Sequence, residues 1–250
     1  MTGLTKDAFL AALGVCLLKV LLHRLGWEPL GANPLVSALV AATVFLLGFL
    51  LSGVLADYKE SERLPAEIGS SLQCLTQEVR CVALIERECP VQGCQAAIAQ
   101  LGGEILAWIQ TQEPASKLQH AFTRVYSELA SIGPWNPAPL QARLMLELAN
   151  LQRSVQRIAT IRDTAFVPSV YLLATLSSAL LVVVLLLSRS GPLLETILFL
   201  AILSTQLFML MRLIADLDNP FNYPHRGSLE NVGLEPLQRA VEQLRTNGSA

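Results

Sequence analysis

The chain has 250 residues, of which 52% are hydrophobic and only 15% charged, and its formal net charge is −2. Soluble domains usually carry about 25% charged residues, so this composition is that of a membrane protein. The charge balance gives no basis for nucleic-acid binding, and five cysteines, an odd number, argue against a secreted disulfide framework.

Four apolar segments predict four membrane helices. They cover residues 8–25, 35–56, 164–188 and 191–211. Each is about long enough to cross a hydrocarbon core of roughly 30 Å as a helix. The first is the weakest because Lys19, His23 and Arg24 interrupt it, and Trp27 behind it is typical of a membrane interface.

Residues 58–163 form a long section between the second and third membrane segments. Its apolar residues recur at helical spacing in four stripes, which predicts amphipathic helices that pack together. The stripes are Ile68, Leu72, Leu75, Val79, Val82 and Ile85; Ile98, Leu101, Ile105, Trp108 and Ile109; Leu118, Phe122, Val125, Tyr126 and Leu129; and Leu140, Leu144, Leu148, Leu151, Val155 and Ile158. We therefore predict an all-α membrane protein with four sections: 1–57, 58–163, 164–211 and the tail 212–250, whose last helix covers 236–245.

Lysine and arginine residues near the helix ends predict the orientation. The two short loops offer only Arg24 and Arg189, whereas the opposite side has Lys6, Lys59, Arg63, Arg157, Arg162 and Arg212. By the positive-inside rule, both termini and residues 58–163 lie in the cytoplasm.

The second apolar segment carries a row of residues that a single membrane helix does not need. Ala41, Phe45 and Phe49 recur every fourth residue and so share one helical face. They are either ordinary packing residues or, in a ring of helices around an axis, two collars of aromatic side chains.

Here the sequence resembles the bestrophin family. Phe-Leu-Leu-Gly-Phe at 45–49, followed by charged residues and Leu-Pro at 64–65, resembles the second transmembrane segment of that family. Three further features follow in the family's order: the helix that starts at Pro139 and leads to Asp163, the Pro-x-Val-Tyr at 168–171, and the Asn-Pro-Phe at 219–221. Their collinearity carries the resemblance, whereas residues 66–135 match no motif.

The resemblance implies a homopentameric channel that conducts anions, chloride among them, through a lipid bilayer. It implies a neck formed by Ala41, Phe45 and Phe49. It also implies a second, cytosolic constriction at Leu140, with Leu144 as the next position on that face, although a leucine in a helical core fits equally well. Lys19 either attracts anions in an outer vestibule or extends its ammonium group to the interface.

One departure from the family limits what can be carried over. Animal bestrophins follow Asn-Pro-Phe with an acidic run that binds calcium, whereas residues 222–230 here hold a single glutamate. We therefore expect no calcium-binding tail, and we expect no cofactor. A non-conducting membrane scaffold and a cation-selective relative remain alternatives to the anion channel.

The remaining residues suggest no enzyme. The sequence has no glycine-rich phosphate loop, zinc signature or nucleophile-elbow serine. Cys89 and Cys94 have a spacing that a metal or redox pair can use, but no histidine is near, and reduced thiols at these positions and at Cys74 and Cys81 are the simpler interpretation.

Overall fold

The computed structural model describes residues 3–31, 34–111, 115–163, 168–189, 191–218, 220–221, 223 and 231–247. In chain order the elements are α1 (Gly3–Arg24), β1 (Leu30–Gly31), α2 (Pro34–Ile85), α3 (Val91–Thr111), α4 (Ser116–Ser131), a short 3-10 turn (Gly133–Trp135), α5 (Ala138–Asp163), α6 (Pro168–Leu187), β2 (Ser188–Arg189), α7 (Leu193–Asp218) and α8 (Glu235–Asn247). The described chain is thus almost entirely helical, as the stripes of apolar residues predict.

The chain divides into two compact units. Unit 1 comprises Met1–Asp57 and Ala165–Asp218, and unit 2 comprises Tyr58–Thr164 and Asn219–Ala250. The helix α2 contributes residues to both units, and it continues through Pro65 as one helix. Residues 212–218, which the sequence assigns to the tail, belong to α7 and to unit 1.

Unit 1 is built from apolar helices. The helix α1 packs against α7 and α6, and α6 packs against α7. Gly26, at a φ of 69°, ends α1 in the left-handed conformation that glycine adopts most easily. The strands β1 and β2 form one short parallel pair, in which Leu30 lies opposite Ser188 and Gly31 opposite Arg189.

Three of the described helices are long and apolar enough to cross a membrane: α2, α6 and α7. The helix α1 is not among them, because Lys6, Asp7, Lys19 and Arg24 lie along it. The prediction of four membrane helices is therefore supported for three of them.

Unit 2 contains a helical core made largely of the four predicted stripes. All of the second stripe is buried, and so are Ile68, Leu72, Leu75, Val79 and Val82 of the first, although Ile85 is 63% exposed at the end of α2. The helix α8 packs against α3 and adds Leu237, Val241 and Leu244 to the same core. Phe221 is fully buried in it.

Parts of the bestrophin-like motifs lie outside the described residues. These are residues 166 and 167 before α6, Asn219 of the Asn-Pro-Phe, and the tail at 222 and 224–230. The described neighbour Tyr223 donates a hydrogen bond from its hydroxyl group to the Val232 carbonyl.

Candidate pore-lining face

The first half of α2 has one face covered by its own chain and one face left open. Leu, Ala and Val fill this part of the helix, and no charged residue interrupts it between Leu35 and Ala56. Thr43, Leu47, Leu50 and Val54 recur at intervals of three or four residues, and each is at most 2% exposed. This buried face fixes which side of α2 remains available to other partners.

The row of Ala41, Phe45 and Phe49 lies on the open side of α2. Phe45 is 76% exposed and Phe49 is 70% exposed, while Ala41 is also exposed. Residues four apart on a helix lie one above the other, so the two phenylalanine side chains share this face. Nothing in the described chain covers them to any large extent.

Gly48 and several small residues accompany the two phenylalanines. A Cβ atom added at Gly48 would meet no described atom within 4 Å, so no contact among the described residues requires a glycine there. Ala38, Ala42 and Ser52 are exposed as well. The open side of α2 thus combines two large aromatic rings with several small residues.

Lys19 lies in a buried ion pair in unit 1. Its side chain is 1% exposed, and its ammonium nitrogen lies 2.8 Å from Glu28 Oε1. It also donates hydrogen bonds to the carbonyl oxygens of Leu186, at 3.0 Å, and Ser188, at 2.6 Å. The three donors of the ammonium group thus have three acceptors, two of which are carbonyls at the C-terminal end of α6.

Glu28 joins this cluster from the connection between α1 and α2. Its other carboxylate oxygen lies 3.0 Å from His23 Nδ1. The hydrogen bond from Lys19 lowers the pKa of the Glu28 carboxyl group, and His23 acts in the same direction, against the opposing effect of burial. The cluster therefore holds Glu28 ionised and ties the α1–α2 connection to the end of α6, and the Lys19 side chain is covered within this chain.

The two candidates for a cytosolic constriction differ in burial. Leu140, in the first turn of α5, is partly buried and packs against the core of unit 2. Leu144 is fully buried within that core, so its side chain packs inside its own chain. Of the two, only Leu140 offers surface that could line an axis.

The four cysteines between residues 58 and 163 form no recognisable metal site among the described residues. The described residues contain no group of three or more histidine, cysteine or acidic side chains placed to hold a metal. Cys89 and Cys94 are buried, Cys81 is exposed, and all are free thiols. Burial, with the nearby Glu128 carboxylate, raises the pKa of the Cys94 thiol to about 11, which keeps it protonated and unreactive at neutral pH.

One ion pair of unit 2 has no counterpart among the sequence motifs. Arg157 on α5 holds Glu60 on α2 through two hydrogen bonds, from Nε to Oε1 at 2.8 Å and from Nη2 to Oε2 at 2.9 Å. This pairing lowers the pKa of the Glu60 carboxyl group. The two residues are 97 positions apart, so no local pattern links them.

The structure resembles solved bacterial bestrophin homologues along nearly its whole length. A Klebsiella pneumoniae bestrophin homologue with a point mutation matches with a TM-score of 0.75 at 13% identity, over 99% of this chain and 98% of that one. A second mutant crystal structure, of a membrane protein, matches with a TM-score of 0.77 at 12% identity over 98% of each chain. No protein-family model and no curated protein matches the sequence. The chain therefore has a bestrophin-like fold.

Proposed function

We propose that this protein is a homopentameric, anion-selective channel whose neck is lined by Ala41, Phe45 and Phe49 of five copies of α2. The observation that carries the proposal is the open face of α2, where two phenylalanines in a row are left uncovered by their own chain. The bestrophin-like fold supports a central position for α2, because in bestrophins the corresponding transmembrane segment lines the neck.

The chemistry of the open face favours anions. An aromatic ring has a partly positive edge, so a collar of ring edges around an axis tolerates a partly dehydrated anion better than a cation. A narrow apolar constriction also closes by losing its water. The side chain of Ala41 is small, so the pathway is widest on that turn of the helix.

The proposal extends to orientation and to the ends of the pathway. Both termini and residues 58–163 lie in the cytoplasm, and α1 serves as a fourth crossing beside α6 and α7. Leu140 narrows the cytosolic end of the pathway. Lys19 contributes mainly by holding the outer connections in place, because Glu28 neutralises its charge.

The test is a recording from purified protein in planar bilayers with chloride at different concentrations on the two sides. We expect a reversal potential of the sign that anion selectivity gives, and native mass spectrometry should show five subunits. A reversal potential of the opposite sign would indicate a cation-selective relative. Electrical silence from a well-folded pentamer would indicate a non-conducting scaffold.

A further inference from the structure

Two buried hydrogen-bond donors of unit 2 lack an acceptor among the described residues. They are the indole nitrogen Nε1 of Trp108, on α3, and the guanidinium nitrogen Nη1 of Arg162, at the end of α5. The two side chains touch, because the Arg162 Cζ atom lies 4.3 Å from the centroid of the Trp108 ring. Buried donors normally have acceptors, so an adjacent pair without any is unusual.

Arg162 has one carboxylate partner among the described residues, and the face of the Trp108 ring also stabilises its charge. Its Nε atom donates to Asp163 Oδ1 at 3.1 Å, but the Asp163 side chain is 65% exposed, whereas that of Arg162 is 14% exposed. An exposed carboxylate beside a largely buried guanidinium is well screened by water and neutralises it poorly. The two unpaired donors therefore lie in a region that favours an anionic acceptor.

A cleft of about 350 Å³ has Trp108 in its wall, and Arg162, which is not among the lining residues, lies against the Trp108 ring. This volume is within the range of ligand pockets, about 300–1,000 Å³. One part of the lining is apolar and the rest is polar but uncharged, and the lining residues are Trp108, Ala115, Leu118, Gln119, Phe122, Gln152, Val155, Gln156 and Ala159. Such a lining suits an alkyl chain better than a highly charged metabolite.

We propose that this cleft binds an acidic amphiphile, that is, an alkyl chain with a single carboxylate or phosphate head group. The chain lies against Leu118, Phe122 and Val155, and the head group accepts hydrogen bonds from Arg162 and from the Trp108 indole. Because both donors are covered in the unliganded chain, the Arg162 side chain must turn on its flexible stem, from the indole ring to the head group.

The order of the chain favours a membrane source for this ligand. Arg162 precedes Pro168, where the apolar helix α6 begins, by only six residues. Acidic amphiphiles such as fatty acids concentrate in and at membranes through their alkyl chains. The proposed site therefore concerns a lipid-derived acid, a role separate from conduction through the neck on α2.

The experiment uses the full chain in amphipol with Trp108 as its only tryptophan, through Trp27→Phe and Trp135→Phe at two exposed positions. We expect decanoate to change the Trp108 fluorescence saturably. Decanol should bind at least about tenfold more weakly, because it lacks the charge that strengthens a hydrogen bond from arginine. Inorganic phosphate should leave the fluorescence unchanged.

Arg162→Gln should weaken decanoate binding by about tenfold or more. Arg153→Gln is the matched control on the same helix, since Arg153 is exposed and its hydrogen-bond partners among the described residues are the Ala149 carbonyl and the Asn150 side chain of its own helix. It should bind decanoate like the parent protein.

Three results would overturn the proposal. Equal affinity for decanol and decanoate would show nonspecific partitioning of the alkyl chain. Saturable binding of phosphate alone would show a free-anion site instead. Unchanged decanoate binding in a folded Arg162→Gln protein would show that Arg162 does not contact the head group. If that variant does not fold, the comparison of decanoate with decanol on the parent protein still tests whether the site prefers an acid. None of these results bears on conduction through α2.

Discussion

Truncation of Phe49 separates a pore-lining role from a packing role. A fully buried phenylalanine changed to alanine costs about 3–5 kcal/mol. Phe49 is 70% exposed within its own chain. If the cost of truncation is proportional to the covered part of the ring, Phe49→Ala should cost about 1–1.5 kcal/mol. If the ring faces a central axis, Phe49→Ala should therefore melt only slightly below the parent protein.

The same change should have a large effect on conduction. In a pentamer it removes one ring from every subunit at the same level, which widens an apolar constriction and eases its wetting. We expect a higher single-channel conductance and a reversal potential in asymmetric chloride that moves toward zero. Thermal unfolding and planar-bilayer recording on the same preparation measure both quantities.

Two variants serve as matched controls. Leu47→Ala lies on the buried face of the same helix segment, where the side chain is 0% exposed, and should cost about 2–5 kcal/mol without changing selectivity. Phe199→Ala on α7 removes another exposed ring, 69% exposed, and should change neither quantity much. If Phe49→Ala behaves like either control, our reasoning about the neck is wrong.

Four further predictions concern other parts of the chain. A membrane-impermeant maleimide should reach native Cys81 and a Gly31→Cys variant from opposite sides of the membrane, since both positions are exposed and a side chain fits at Gly31; labelling from one side would refute the orientation. In detergent at neutral pH the same reagent should label Cys81 but not Cys94, whose thiol is buried with a pKa of about 11, and equal rates would contradict this burial. Lys19→Met should lower the free energy of unfolding by about 3–5 kcal/mol, and Lys19→Met/Glu28→Gln should recover part of it, because the unpaired carboxylate is then gone. Since the pKa of Glu28 is lowered, the ion pair stabilises the parent protein above the usual carboxyl pKa and loses this effect as the pH falls through the lowered value. A melting temperature that does not fall on acidification would contradict this prediction. Channel currents should not depend on micromolar calcium, and currents that switch on with calcium would show that the tail has been misinterpreted.

The helices of unit 2 were predictable because burial there follows local periodicity. A stripe such as Ile98, Leu101 and Ile105 repeats with the helical period, so the sequence alone shows which side must be covered. The period also placed Leu144 beside Leu140. The period did not show that Leu144 is fully buried in the core of unit 2 while Leu140 is only partly buried, because burial depends on which helices pack nearby.

The cluster at Lys19 was not predictable for a related reason. Its acceptors include carbonyl oxygens of Leu186 and Ser188, which lie 167 and 169 positions further along the chain. Backbone acceptors leave no trace in the sequence, since every residue has a carbonyl group. Only Glu28, nine residues after Lys19, could have suggested a partner, and a turn separates the two.

The packing of α8 against α2 and α3 means that part of the core of unit 2 is completed only at the end of synthesis. An added Cβ at Gly69 would lie 3.1 Å from the Ala240 Cβ, and one at Gly102 would lie 3.1 Å from Val241 Cγ2, so α8 rests directly on these backbones. Yet α8 is synthesised after α6 and α7, although α2 and α3 emerge from the ribosome long before them. The apolar surface around Gly69 and Gly102, which α8 covers in the folded chain, therefore stays uncovered during most of translation. A nascent chain arrested after α3 but before α8 exposes this apolar surface, which is the kind of surface that chaperones recognise.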